Sequence, residues 1–301
     1  MKKKPLISVC MPVFNGQRFL AHTLDSLLAQ DYGNFEIVIL DNISTDNTKN
    51  ICLSYAKKDA RVRYIIDDIQ VGVSDGHNRV AQYARGQYFM VACDDDVYEP
   101  DCLSKLFEII DNNQDIGLVF CEVDLIDENG IRRPSGSSKY CLFFNENNTR
   151  YKNVLLYMYK RWPVPLIFGL FRTSLYKQTL PFTHIDSENG ERNVDNLFIL
   201  KILSLARIAC SEETLFFYRD RDRGYPPDWP RNEKYSYMIK HQTRLSKAFY
   251  DVISNSDFSA RQKRRLKMWV ILNWFYFFKK ITRKKTRSLR HLNFQIQKNE
   301  K

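Results

Sequence analysis

Along the first 125 residues, short runs of consecutive apolar residues alternate with longer stretches in which apolar positions return every three or four residues. The apolar runs predict strands at 7–11, 36–40, 62–66, 88–92 and 118–123, each flanked by turn-forming or charged residues. Between them the spacing predicts helices at 18–29, 46–57, 73–84 and 100–112. In the first helix Phe19, Leu20, Thr23, Leu24, Leu27 and Leu28 line one face, which must be covered by a sheet. Ser44, Thr45 and Asp46 stand where the second helix would be capped, and Pro100 stands where a proline opens a helix. Strands alternating with helices predict an α/β fold with helices on both faces of the sheet.

The pattern loosens over 127–152, where Asn, Ser, Gly and charged residues dominate, as in a hairpin or long connection. Regular runs resume at 153–161, 168–171, 196–205 and 214–218. The stretch "RDRDRGYPPDWP", 219–230, reads as a surface loop. No internal repeat is visible. This organisation suggests one domain over 1–230, with halves at 1–125 and 126–230, followed by a helical, basic and aromatic extension over 231–301.

Charge changes the picture only once it is located. The chain of 301 residues carries a net +11, but residues 261–301 hold 14 Lys/Arg against one acidic residue, leaving 32 against 34 for the rest. A near-neutral body argues against a nucleic-acid-binding protein, whose basic residues would spread over the body among aromatics. Within the tail, 268–278 is apolar except for Asn273 and flanked by cations. Eleven residues are too few to cross a bilayer, which takes about 20. Two readings remain: a helix lying on an anionic membrane surface, or a terminal helix packed on the protein. The seven cysteines are odd in number, scattered and without a C-x-x-C pair. They suggest reduced thiols, and the start "MKKKPLISVCMPVF" lacks the length of a signal sequence, so a cytoplasmic chain is expected.

Candidate chemistry begins at "FMVACDDDVYEP", 89–100, where an apolar run ends in Asp94, Asp95 and Asp96. Two carboxylates about 5 Å apart repel by roughly 3 kcal/mol at a surface-like dielectric, so something must compensate. In open α/β sheets ligands bind beyond the carboxyl ends of strands, where both this triplet and Asp41 fall. A hard divalent cation takes one or two carboxylates there with phosphate oxygens. From the triplet alone, a turn that caps the following helix fits equally.

The order of elements adds a resemblance. "ISVCMPVFNGQRFLAHTLDSLLAQDYGNFEIVILDNISTDNT" followed by "VGVSDGHNRVAQYARGQYFMVACDDDVYEPDCL" resembles, over residues 6–125, the nucleotide-binding half of inverting family-two glycosyltransferases of the GT-A fold. The resemblance implies a mixed, mostly parallel central sheet, a nucleotide-sugar donor, a divalent metal (Mn²⁺ or Mg²⁺), and displacement at the anomeric carbon by an acceptor hydroxyl. By position it assigns Pro12, Val13 and Asn15 to the nucleotide loop and Asp41 to the base edge. Ser44 and Asp46 complete its D-x-S-x-D pattern, although Asp46 fits an N-cap equally. Asp94 and Asp95 match the acidic pair at the diphosphate, with Asp95 the principal metal ligand and Asp94 its partner. Cys93 departs from the family pattern, which usually has an aspartate there. Asn78 keeps its family position for the donor, whereas His77 replaces an arginine and reads as structural.

In the second half, the resemblance implies a general base in an acidic motif before a helix. "ENGERNVDNLFILKIL" offers Asp195, with Val194 where an acidic neighbour is usual and Glu188 and Glu191 as competitors. Asp195 also reads as a helix cap, and one residue can serve both roles. Trp162, with Pro163 and Pro165, suits either a platform for an acceptor sugar or ordinary packing. Arg219, Arg221 and Arg223 follow a strand where relatives close a loop over the donor, arginine being suited to phosphate; Asp220 and Asp222 could instead neutralise them in a solvated loop.

The expectation is therefore a metal-dependent inverting transferase using a UDP-sugar, or a dTDP-sugar, to extend a glycan or lipid-linked glycan in bacterial surface polysaccharide, O-antigen or capsule assembly. It would work in the cytoplasm, on the inner face of the cell membrane, with residues 261–301 at an anionic surface. A sugar nucleotidyltransferase fits less well, because "MPVFNGQRF" has one glycine and no Gly-rich phosphate loop. Cys93 and Val194 keep a catalytically degenerate homologue in view.

Overall fold

The computed structural model describes residues 5–133, 140–160, 165–182, 194–220 and 235–299. Two compact units form, Met1–Arg223 and Gly224–Lys301. The first holds all the strands among the described residues; the second holds two helices.

Strand β1 (Ile7–Val13) pairs in parallel with β2 (Phe35–Asp41) on one side and β4 (Tyr88–Val91) on the other, and β3 (Val62–Ile66) extends the sheet beyond β2. Helix α1 (Leu20–Leu28) links the first two strands, α2 (Thr48–Lys58) the next pair, and α3 (Val73–Val80) leads on toward β4. Beyond β4 lie β8 (Leu170–Arg172), β6 (Ile116–Ile126), β9 (Arg207–Arg219) and the two-residue β5 (Val97–Tyr98), with β7 (Arg132–Arg133) hairpinned onto β6. β1, β2, β3, β4, β6 and β9 run one way and β5, β7 and β8 against them, so the sheet is mixed and mostly parallel.

The strand positions follow the expectations, with longer limits for β1, β2, β6 and β9. The strand expected at 118–123 runs from Ile116 to Ile126, and that at 214–218 from Arg207 to Arg219. Both are longer because each pairs with the other in parallel, through register shifts near Glu122 that let polar positions sit within the ladder. The run at 153–161 forms helix α5 (Arg150–Lys160), whereas β5, which exists only through its pairing with β9, and α6 (Thr173–Thr179), whose seven residues are too few to show a period, went unread. Helix α4 (Cys102–Asp111) starts two residues beyond Pro100 and is capped from outside, Gln30 Oε1 accepting the Leu103 N–H at 2.8 Å.

The β1 and β2 interiors are almost wholly buried, and Leu20, Leu24 and Leu27 of α1 pack into the same core as Leu103, Leu106 and Ile110 of α4. A second apolar cluster gathers Phe89, Phe171, Tyr176, Phe182 and Phe198, the last on α7 (Val194–Leu205). The expectation of reduced thiols needs one correction: Cys141 and Cys210 are disulfide-bonded, with Cα atoms 5.3 Å apart. They are 69 residues apart, and only the fold of a 3₁₀ turn at Tyr140–Leu142 beside β9 brings them together, which spacing along the chain could not reveal.

The second unit consists of α8 (Tyr235–Asn255) and the 40-residue α9 (Ala260–Asn299), packed on each other. Among the described residues no helix is long and apolar enough to cross a membrane.

Candidate functional site

The parallel arrangement of β1, β2 and β4 places Val13 opposite Asp41, while the chain after Val91 turns outward at the same end of the sheet. The connections after β1 and β2 are knitted to each other. Asn15, at a positive φ of 53°, donates its N–H to Ser44 Oγ at 2.9 Å, and its Oδ1 accepts the Thr45 N–H at 2.8 Å. Gly16 N–H is accepted by Thr48 Oγ1, Gln17 N–H by Asp46, and Gln17 Oε1 accepts the Asn47 N–H. These crossing bonds fix two loops whose only covalent connection is through α1 and β2. Of their residues the sequence singled out Asn15, Ser44, Thr45 and Asp46; Gln17 and Thr48 carried no signal, because their role depends on the facing loop.

Asp46 reads as both brace and cap. One oxygen accepts the N–H and hydroxyl of Thr48 at the start of α2, the other the Gln17 N–H. Partial burial opposes its ionisation, but these hydrogen bonds outweigh it and hold the carboxyl below the usual carboxylate range. Asp41 is 2% exposed at the end of β2, with Oδ1 accepting the Ser44 N–H at 2.8 Å and Oδ2 the Tyr64 hydroxyl at 2.6 Å. A carboxylate has about four acceptor positions, so these two bonds orient it while leaving capacity for a ligand N–H. Around it Phe14, Ile43, Ile66, Ile69 and Val73 are exposed, an apolar rim on the loops that end β1, β2 and β3. Asn42 shapes that rim: its amide donates to the Val71 carbonyl and accepts the Val71 N–H, both at 2.8 Å.

The three aspartates differ sharply. Asp94 lies over Gly16; a methyl group at Gly16 would overlap Asp94 Oδ2 and come within 2.8 Å of Val13 Cγ2. Asp95 is half-buried, and its carbonyl accepts Arg219 Nε at 2.7 Å. Asp96 is fully buried; Oδ1 accepts the Arg219 N–H at 3.0 Å and its carbonyl the Thr23 hydroxyl at 2.8 Å. Cys93 Sγ and carboxylate oxygens of Asp95 and Asp96 lie within 4.8 Å of one another, a donor set a divalent cation could use. Asp94 is not in that triad; it faces the Gly16 loop instead.

Arg219 is 3% exposed and braces this corner from the end of β9. Besides Asp95, it donates from Nη1 to the carbonyls of Asp127 at 2.8 Å and Glu128 at 3.3 Å, and its guanidinium stacks 4.5 Å from the Phe19 ring. Those bonds hold the carboxylate turn against the connection after β6. Arg221 and Arg223 lie outside the described residues.

Two further predicted positions, Asn78 and Asp195, stand on helices α3 and α7. Asn78 turns both ends of its amide to Phe182, donating to its carbonyl at 3.1 Å and accepting its N–H at 2.7 Å. His77 stacks on the same ring at 5.5 Å with Nδ1 enclosed, and burial pushes its pKa down to about 4, so the imidazole is neutral. Asp195 is exposed in the first turn of α7, where the helix dipole favours a carboxylate. Glu188, Glu191, Trp162 and Pro163 lie outside the described residues, as do the side chains of Val194 and Pro165; Pro165 itself begins a 3₁₀ turn at Pro165–Phe168.

The model of the family described as glycosyl transferase family 2 matches residues 8–177, which include the ends of β1, β2 and β4 and the aspartate turn but not Arg219. A protein of Escherichia coli K12, provisionally named a colanic acid biosynthesis glycosyl transferase, is 38% identical over 104 residues, covering 35% of this chain and 37% of that protein. The chain spans less than half the length of the curated relatives it matches. Among solved structures, S. aureus TarS 1-349 in complex with UDP-GlcNAc superposes with a TM-score of 0.65 at 20% identity, over 90% of this chain and 73% of that one. The mannosyltransferase PcManGT of Pyrobaculum calidifontis, in complex with GDP-Man and Mn²⁺, gives 0.58 at 14% identity, over 96% and 76%. Those two likenesses bear on the fold, and the family match covers more than half of the sequence: this chain belongs to glycosyl transferase family 2 and has the GT-A fold.

Proposed function

We propose that the chain transfers a sugar from a nucleoside-diphosphate donor, most readily a UDP-sugar, to a hydroxyl of a glycan or lipid-linked glycan, with inversion. The observation that carries this reading is the meeting of Asp41, the knitted loops of Asn15 and Ser44, and the Asp94–Asp95 turn at one end of the parallel sheet. In this reading Asp41, already oriented by Ser44 and Tyr64, accepts the N3–H of uracil, and the apolar rim of Phe14, Ile43 and Ile66 flanks the base. Pro12, Val13 and Asn15 line the nucleotide, and Ser44 and Asp46 keep their loop closed on it. A divalent cation would be held by Asp95 with Cys93 and Asp96, whose donor atoms lie within 4.8 Å of one another, or by Asp95 with Asp94 from its place over Gly16, and when bound it would offset the charge of the diphosphate.

The chemistry asked of the chain itself is proton removal and orientation. As an acceptor hydroxyl oxygen forms its bond to the anomeric carbon, the bond to the diphosphate oxygen breaks, and the hydroxyl proton passes to Asp195. Arg219 would act through the Asp95 turn and Arg221 on the donor side, while Asn78, its amide held by Phe182, would act there only through the segment that it positions. The colanic acid name of the relative supports a surface polysaccharide as the product class; in this reading the transfer takes place at the inner face of the cell membrane.

A thermal-shift screen of UDP-, dTDP- and GDP-sugars with and without Mn²⁺, followed by donor hydrolysis or transfer, tests this. Stabilisation by one donor class, and activity lost in Asp95→Ala and Asp195→Ala proteins that still fold, are expected. No stabilisation by any donor would overturn the reading. Stabilisation without turnover would instead favour a degenerate homologue, the reading suggested by Cys93 and Val194.

A further inference from the structure

The second unit carries an apolar surface for which the transfer reaction has no use. Helix α9 packs on α8 through Leu266 and Val270, both buried, and through Trp274, whose Nε1 donates to Thr243 Oγ1 at 2.9 Å. One turn around the helix, Met268, Ile271, Leu272, Phe275 and Tyr276 are all exposed, Tyr276 to 70%. Their spacing of three, four, seven and eight residues makes them one continuous stripe. Single exposed apolar residues are ordinary, whereas a contiguous stripe of five marks a contact surface. Beside it a groove of about 280 Å³, almost entirely apolar, runs between the helices past Tyr250, Val270, Ile271 and Trp274, so Ile271 belongs to both features.

Charge selects what covers the stripe. Residues 261–290 contain twelve Lys/Arg and no acidic residue, flanking the apolar segment on both sides. A second copy laid stripe to stripe would bring two such cationic helices together, whereas an anionic lipid surface neutralises them while its acyl region receives the apolar side chains. We infer that α9 lies in the interface of an anionic bilayer, with Ile271, Leu272, Phe275 and Tyr276 inserted below the headgroups and the flanking cations among the phosphates. The groove beside Ile271 then opens toward the acyl layer and is of a size to take part of one lipid chain. This does not depend on the sugar-transfer reading, since neither the stripe nor the cations belong to the crevice.

The test uses the full chain in flotation with vesicles of phosphatidylcholine containing 30 mol% phosphatidylglycerol, and with phosphatidylcholine alone. Binding to the anionic vesicles at least tenfold stronger than to the neutral ones, and weakened by 0.5 M NaCl, is expected. The triple variant Leu272→Ser, Phe275→Ser, Tyr276→Ser should lose that binding at least tenfold while its helical circular dichroism stays unchanged. The three side chains are exposed, so buried Leu266 and Val270 and the Trp274 hydrogen bond still hold α9 on α8 although the Phe275 ring no longer meets Trp274 edge-on, and any donor-induced thermal shift should persist. Equal flotation of the intact and triple-variant chains, or no flotation of the intact chain with the anionic vesicles, would overturn the inference. So would sedimentation showing a dimer that the triple substitution disperses in the absence of such flotation.

Discussion

Gly16 is the residue on which the candidate site turns most narrowly. It gives its N–H to Thr48 and leaves room for the Asp94 carboxylate, so a Cβ there must push the carboxylate away. Gly16→Ala is expected to lower kcat/KM at least about tenfold, the equivalent of about 1.4 kcal/mol of lost transition-state stabilisation, and to cost about 1–3 kcal/mol of stability because the same methyl group meets buried Val13, as steady-state kinetics and thermal unfolding would check. Asp41 separates stability from recognition. In Asp41→Asn the Oδ1 still accepts the Ser44 N–H and the new amide can donate to Tyr64, so stability should change by no more than about 1 kcal/mol. A base N–H would then meet a donor, and the donor KM should rise by about tenfold or more. Asp41→Ala instead strands both partners and should cost about 2–4 kcal/mol in urea unfolding. At this scale the sequence marked Asp41, Ser44, Asp46, Asp94 and Asp95 because carboxylates and hydroxyls at strand ends carry their own signal. It left Asp96 outside the acidic pair, yet Asp96 is the most buried of the triplet, where it accepts the N–H of Arg219 from 123 residues away.

Between elements, two side chains act as cross-braces. Arg219 ties the end of β9 to the carboxylate turn and to the connection after β6. In Arg219→Lys the fork of donors is lost and one ammonium cannot reach both carbonyls, so about 2–3 kcal/mol of stability should go, with Mn²⁺ affinity falling alongside; urea unfolding and metal titration read the two effects. The second brace joins α3 to the segment before α7: Asn78 and His77 grip Phe182, whose ring stacks 4.0 Å from Phe198. Here pH supplies the test. The folded-state pKa of His77, about 4, lies below the unfolded value near 6.5, so between those values the unfolded chain binds the extra proton. Stability from this group is complete above pH 6.5 and is lost as the pH falls. About 2 kcal/mol should disappear between pH 7 and pH 5, and His77→Phe should remove that part of the pH dependence. The sequence placed Asn78 at the donor by its position in a motif; the structure gives its amide to Phe182, a contact between residues 104 apart.

For the molecule as a whole, ligand binding and folding are linked. A donor and metal at a hundredfold over their dissociation constant should stabilise the chain by about 2.7 kcal/mol, a rise of about 4–6 °C in melting temperature, absent in Asp95→Ala. What the sequence determined by itself was everything that repeats locally: the alternation of apolar runs and helical spacing that gives an α/β sheet, the carboxylates ending two strands, and a run of motifs distinctive enough to name the family and the GT-A fold. Those features are encoded within windows of about ten residues, where periodicity and turn chemistry act. What only the tertiary structure decided were the partners across long separations. They include the Cys141–Cys210 bond, the capture of Asp96 by Arg219, the space at Gly16 and the face of α9 left open beside α8. Each depends on which surfaces the parallel sheet and the helix pair bring together, and no local window of the chain contains that information.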